Sequence, residues 1–358
     1  MSKRNKLLAS IIATLVLISI AAPKIMLYFS GNKTSCNSKE IEFFILSEID
    51  LDSLASQLVA KGIIENTNSF VSVGEYKHLN KENIALGKYR IAPGTSYRTL
   101  LNGFKLNSLG NGNAEVEVEV TFNNCKTIND LAKKVSKIIS LDSTELIVYL
   151  NDQATLTKYG FTSQELPAMF IPDTYKFYYD TDEKEFVERM AKEFKTFWNS
   201  ERKLKMKEIG LNSPSEVVTL ASIVYSEQSI VKDEWPIIAG LYLNRLNKGI
   251  RLQSDPTFKF CWGNLLNGVQ RLLNIHRDIN CEYNTYKIDG LPPGPICLPS
   301  SSVVDAVLKN KKNDFIYMCA KPDYTHRHNF AVSGAEHMKN AKKFQTWLAA
   351  ELKRKGKK

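Results

Sequence analysis

The 358-residue chain has six cysteines but no Cys-x-x-Cys pair. That absence removes the zinc-ribbon and thioredoxin-like readings. It also lacks an RNP motif, a helix-turn-helix pattern and any interleaving of basic and aromatic residues, so nucleic acid is not an expected partner. Acidic residues are the minority, 38 against 48 Lys and Arg, for a net charge of +10. Five of the positive charges fall in the terminal KRKGKK, a stretch expected to be a solvated tail. The remaining surplus fits an anionic membrane face or an anionic wall polymer equally well. Disorder is excluded by 43% hydrophobic and 10% aromatic residues, enough for one large or several small cores.

The long uncharged run lies at the N-terminus. Lys3, Arg4 and Lys6 precede LLASIIATLVLISIAAP (7–23), and IMLYF follows Lys24. A run of about 17–20 apolar residues spans a bilayer as a helix. Positive charge on its N-terminal side keeps residues 1–6 cytoplasmic and sends the body across the membrane. The reading adopted is a transmembrane anchor over 7–29. A signal peptide cleaved after the small residues Ala21 and Ala22 is the alternative. Either way the body is exported, a setting in which cysteines can pair. Cys261 and Cys281 bracket a loop-like segment and are the expected disulfide.

An extended run, a turn and a capped helix recur at 42–64, 88–104 and 115–139. In the third copy, Glu115 to Phe122 alternates polar and apolar, as a half-buried strand does. Asp50, Thr95 or Ser96, and Thr127 are natural N-caps for the helices that follow. Residues 143–205 read as mostly helical, broken by FIPDTYKFYYDT. Beyond Gly210, helices alternate with polar, Pro/Gly-rich loops that carry most of the unusual residues. The expected class is α+β: the anchor, a small strand–helix subdomain over 40–112, a connecting α/β region over 113–205, a mixed α/β chemical domain over 206–348, and a basic tail over 349–358.

Glu227 is the one acid between Glu216 and Asp233. Ser213-Pro214-Ser215-Glu216 reads as a capping box with proline at the first helical position. Val217, Leu220, Ile223 and Val224 then form an apolar stripe that Glu227 continues. A carboxylate on such a stripe must be paired, neutral or facing a cleft. Against apolar walls its acid form is favoured, as a general acid requires. A helix end that has reached the surface, with Glu227 in water or beside a lysine, explains the same spacing. Downstream, a helix over 236–248 ending at Gly249 presents Asn244 and Arg245. Gln253, Ser254 and Asp255 form a polar turn, and Tyr283 and Asn284 precede a stiff Pro/Gly loop. THRHNF (325–330) and Glu336-His337 gather three of the five histidines. Aromatics, amides and a few charges on loops are what a sugar-binding groove needs.

LASIVYSEQ, LNRLNKGIRLQSDPT, YNTYKIDGLPPGPI and HNF…EH, in this order and spacing, resemble the YceG/MltG family of membrane-anchored endolytic murein transglycosylases. PDTY (172–175) matches another landmark of that family, and the early strand–helix repeats are similar to its LysM-like subdomain. The resemblance makes Glu227 the catalytic acid, at the second glutamate of the family's IVEKE. The first of those glutamates is replaced here by Tyr225. The Glu-Gly that precedes PDTY in the family is also missing, with Pro167-Ala168 in its place.

The mechanism implied needs one carboxyl, not the pair of ordinary glycoside hydrolysis. Glu227 would protonate the oxygen between N-acetylmuramic acid and N-acetylglucosamine. It would then take the proton of the muramyl C6 hydroxyl as that oxygen closes onto C1 in a 1,6-anhydro ring. Gln253, Asp255, Tyr283 and Asn284 would hold the sugar, with Asn244, Thr285, His328 and His337 around them. Arg251 would meet a lactyl or peptide carboxylate, or else a structural ion pair. Asp255 is the second candidate acid, a turn cap being its plainer role. His326, His328 and His337 raise a metal, but without a Cys or carboxylate at zinc spacing; neither metal nor cofactor is expected. The expected partners are peptidoglycan strands, the membrane and cell-wall synthases. The alternative of a different class is a wall-binding scaffold that cleaves nothing.

Overall fold

The computed structural model describes residues 18, 19, 21–108, 110–266, 269, 273–354 and 356. Residues 1–17, which hold the expected cytoplasmic terminus and the first part of the expected anchor, lie outside them. Among the described residues, no helix is long and apolar enough to cross a membrane; residues 18, 19 and 21–32 are helical. The chain is a mixed α+β structure of short two-stranded sheets and many helices. It divides into two compact units. The first runs to Val120 and includes 138–140 and 176–181, and the second takes the remainder.

All three strand–helix repeats form. Strands β1 (Ile41–Ile45) and β2 (Gly87–Ile91) pair antiparallel, with Phe43 opposite Tyr89. The helices Leu51–Ala60 and Tyr97–Phe104 begin at Asp50 and Ser96, whose side chains accept from the N–H groups of Ser53 and Thr99. Each cap meets an N–H that has no partner inside its helix. Leu54, Leu58, Phe70, Leu101 and Phe104 fill the core of this unit. The third strand, β3 (Glu117–Phe122), pairs with β4 (Asp173–Tyr178), which PDTY opens. Its helix, Ile128–Val135, starts with a full capping box between Thr127 and Asp130.

In the second unit the Pro214–Glu227 helix is buried along most of its length, from Ser215 to Val224. It packs in one core with the Trp235–Asn247 and Ser301–Leu308 helices through Leu220, Ile223, Ile238, Tyr242, Val303 and Val307. Burial of each such side chain contributes about 1.5–3 kcal/mol. Ser213 Oγ accepts from Glu216 N as the capping-box reading requires, but Glu216 reaches back to Asn212 N at 2.6 Å. The Trp235–Asn247 helix gives way to Gly249 at φ +64°, a left-handed position suited to glycine. The Pro/Gly loop passes so close to Gln164 that a Cβ on Gly294 would stand 1.9 Å from its carbonyl oxygen. Strands β5 (Tyr317–Ala320) and β6 (His328–Ala331) form a hairpin, and the closing helix, Gly334–Arg354, continues into the stretch expected as tail. Cys261 and Cys281 are joined, with Cα atoms 6.2 Å apart.

Candidate active site

Glu227 is the last residue of its helix. The apolar stripe carries it inward, and two hydroxyls from later parts of the chain meet it. Tyr242 Oη donates to Glu227 Oε1 at 2.7 Å, and Ser254 Oγ donates to the same oxygen at 2.5 Å. Tyr242 and Ser254 are themselves buried, whereas Glu227 keeps some exposure. Burial is the largest influence on the Glu227 carboxyl and pushes it above the usual carboxylate range. The Ser254 and Tyr242 hydroxyls pull it back down, the charge of Asp255 adds to the rise, and His328 opposes it. Burial also raises the Tyr242 phenol well above its ordinary value, so it stays a donor.

Gln228, the next residue, fixes the helix end. Its side-chain oxygen accepts from Ile230 N and Val231 N, and its Nε2 donates to Glu234 Oε2 and to the His326 carbonyl. Its own carbonyl takes the Trp235 Nε1–H at 2.6 Å. Glu234, 2% exposed, also accepts from His328 N at 3.0 Å and lies 2.8 Å from His328 Nδ1. A buried carboxylate ringed by donors is satisfied, and it orients the imidazole it holds.

The residues expected around the acid sort into three groups. Gln253 and Asp255 flank Ser254. Gln253 is exposed at φ +52°, with its Oε1 accepting from Arg245 at 2.7 Å. A non-glycine residue held left-handed is uncommon and collects at functional loops. Asp255 Oδ1 accepts from Tyr286 Oη at 2.6 Å, and Arg277 stands 3.6 Å away. Tyr283 packs its half-buried ring on Phe260 at 4.7 Å, and its hydroxyl is pushed up to about 12 by burial.

The second group is framework. Asn284 and Thr285 have no exposed surface. Asn284 donates to the carbonyls of Arg277 and Ile279, while Thr285 Oγ1 accepts from Ser254 N at 2.9 Å. Asn244 donates to the carbonyls of Asn313 and Phe315. These contacts are internal, and those of Thr285 set the position of Ser254. Members of the third group are engaged elsewhere. Arg251 pairs with Asp289 at 2.8 Å, the ion-pair alternative of the sequence reading. His337 stacks on Tyr317 at 5.1 Å. Among the described residues, no three or more His, Cys, Asp or Glu converge as metal ligands.

Sequence reasoning missed Ser254 as a partner of the acid, and missed Tyr242, Gln228 and Glu234 altogether. Tyr242 lies in an apolar run and reads as core. Gln228 and Glu234 find the His326 carbonyl and His328, which lie 98 and 94 residues away along the chain.

A YceG-like family model matches residues 43–343. The chain belongs to the YceG-like family. One curated relative, from Bacillus subtilis (strain 168), is named endolytic murein transglycosylase; it is 25% identical over 293 residues, which cover 77% of this chain and 78% of the relative. A relative of the same name from Streptococcus pneumoniae is 23% identical over 297 residues, covering 76% of this chain and 52% of its own length. The chain thus spans about half the streptococcal protein. A yceG-like protein from Listeria monocytogenes, known from a crystal structure, shares the fold at a TM-score of 0.54 and 22% identity, over 85% of this chain and 99% of that one.

Proposed function

We propose that this YceG-like protein is an endolytic lytic transglycosylase of peptidoglycan, with Glu227 as its acid and then its base. The observation that carries this is the pairing of Glu227 with two hydroxyl donors in a site whose burial favours the acid form. The names of its relatives give the substrate class. Protonated Glu227 delivers its proton to the glycosidic oxygen, and the bond from the muramyl C1 to that oxygen breaks. The resulting carboxylate, held by Tyr242 and Ser254, takes the C6 hydroxyl proton as O6 bonds to C1. Atoms balance without water, and a 1,6-anhydro end is left. A group serving both steps works best with a pKa near the operating pH.

Around this chemistry we place Gln253, Asp255, Tyr283 and His328 at the sugar, and Asn244, Thr285 and Asn284 as the loops' supports. The catalytic domain would span 206–348, joined by 113–205 to a LysM-like, wall-binding subdomain over 40–112. An anchor over 7–29 would make the protein single-pass in the plasma (inner) membrane, with residues 1–6 cytoplasmic and the catalytic domain outside. From there it would end nascent strands beside cell-wall synthases.

Digestion of isolated peptidoglycan tests the proposal. Muropeptides with 1,6-anhydro ends are expected from the wild-type chain and not from Glu227→Gln. Wild-type protein that binds the strands and releases no such ends is the scaffold instead. Ordinary reducing ends would make it a hydrolase, with Asp255 the second carboxyl to test.

A further inference from the structure

Next to the end of the Glu227 helix, the second unit opens into a cleft of about 1180 Å³. Tyr225 and Ser226 line it, while Glu227 does not. Its lining joins apolar residues such as Phe260, Ile296 and Leu298 to four lysines: Lys126 just before the Ile128–Val135 helix, Lys133 and Lys134 within it, and Lys259 on the Asp255–Trp262 helix. Asp130 is the acid among them, and its carboxylate is spent on the N–H groups of Lys126 and Thr127. Lys134 donates to the Asn123 carbonyl. No salt bridge to a described residue engages any of the four, in contrast to Arg251, which Asp289 meets. Four lysines lining one open space, one of them tied to a carbonyl, make it attractive to an anion.

Position 225 is the second observation. An acid there would compete for these lysines. Tyr225 instead donates its hydroxyl to Asn124, at 3.2 Å, and leaves the cleft's positive charge unmatched. Asn124 is itself held left-handed at φ +50°.

Resting on the reading of Glu227 as a transglycosylase acid, we infer that this cleft binds the carboxylates of the stem peptide carried by the muramyl residue being cut. The sugars of peptidoglycan present neutral hydroxyls and acetamides, and the strand's negative charge lies on the peptides joined through the lactyl groups. That lactyl group is on the ring whose C1 reacts, so its peptide leaves the site at close range. Tyr225 and Ser226, which line the cleft, stand in the last turn of the helix that ends at the acid. The substrate class is then peptide-bearing glycan, not stripped glycan.

Binding by the full chain carrying Glu227→Gln, which does not cut, tests this apart from catalysis. Soluble strands with their peptides are expected to bind on the order of tenfold tighter than the same strands stripped by an amidase, given several partly exposed ion pairs. Adding Lys126→Ala, Lys133→Ala and Lys259→Ala should bring the ratio of the two Kd values close to one. Adding Tyr225→Glu to the Glu227→Gln background should reduce it in the same direction. A ratio is insensitive to the fraction of folded protein, so partial misfolding does not imitate the result. Equal binding of both strands, or a preference that survives the lysine substitutions, overturns the inference. So does a poly(glycerol phosphate) competitor that displaces both strands equally and loses its effect in the lysine variant. Should the wild-type chain yield no anhydro ends, the catalytic reading falls, and the Kd ratio still decides the cleft.

Discussion

Glu227 in the second unit and Glu115 in the first are both partly buried carboxyls driven toward the acid form. Burial is the largest cause in each, but their companions differ. Glu115 is raised to about 8, with the nearby Asp180 carboxyl adding to burial, while the Gly112 N–H and Asn111 draw it down. Its Oε1 is buried and meets no hydrogen-bond partner, while its Oε2 takes the Gly112 N–H at 3.4 Å. Glu227 has two hydroxyl donors instead. A hydroxyl donates to a carboxylate and its oxygen can accept from a carboxylic acid, so both forms of Glu227 have partners. The Gly112 N–H and Asn111 serve only the ionised form of Glu115, and its acid form leans on the neighbouring Asp180 carboxyl. Burial beside a second carboxyl therefore favours a fixed acid, and burial with hydroxyl partners favours a group able to release and regain a proton.

The sharpest way to break this contrast is to replace each acid by its amide. Glu227→Gln should lower the release of anhydro ends by about 10²–10⁴-fold, the usual worth of a positioned acid–base group. Glu115→Gln should leave the rate within about twofold of wild type. Comparable losses from the two substitutions would show that the hydroxyl donors are incidental.

A smaller effect is expected from the donors themselves. Tyr242→Phe with Ser254→Ala removes the two groups that pull the Glu227 carboxyl down. Its pKa should then rise further, and the alkaline limb of kcat/KM, which reports loss of the acid form in the free enzyme, should move to higher pH. The rate at the optimum should fall roughly tenfold, because the carboxylate proposed to accept the C6 proton has lost its support. A limb displaced to lower pH would mean that burial is not what holds the acid form.

Much of this arrangement is legible along the chain, and the illegible part has a common cause. The strand–helix repeats follow from alternation and from the caps Asp50, Ser96 and Thr127, all local signals. Glu227 follows from the spacing of Leu220, Ile223 and Val224 on one face of a helix. Its partners do not follow. Ser254 arrives from 27 residues away, and His328 reaches Glu234 across 94. Asn284 and Thr285 show the opposite error: polar residues on a Pro/Gly-rich loop read as groove-facing, yet both are fully buried because they fasten that loop to itself and to Ser254. Periodicity reports which face of an element is buried, and it does not report what lies against that face.

The gentlest test concerns stability and turns on a sign. A carboxyl raised from 4.5 to about 8 in the folded protein binds its proton more tightly there than in the unfolded chain. Its contribution is complete below about pH 4.5 and is lost as pH climbs toward 8, since the unfolded chain gives up the proton first. Glu115→Gln keeps an N–H donor facing Asp180 and removes the ionisation. The melting temperature of the variant, relative to wild type, should therefore rise by a few degrees between pH 5 and pH 9. Glu227→Gln should shift in the same direction and by less, because Tyr242 and Ser254 already stabilise the wild-type carboxylate. A larger pH-dependent gain at Glu227 than at Glu115 would reverse the order of the two acids, and would locate the more strained ionisation in the second unit and not in the first.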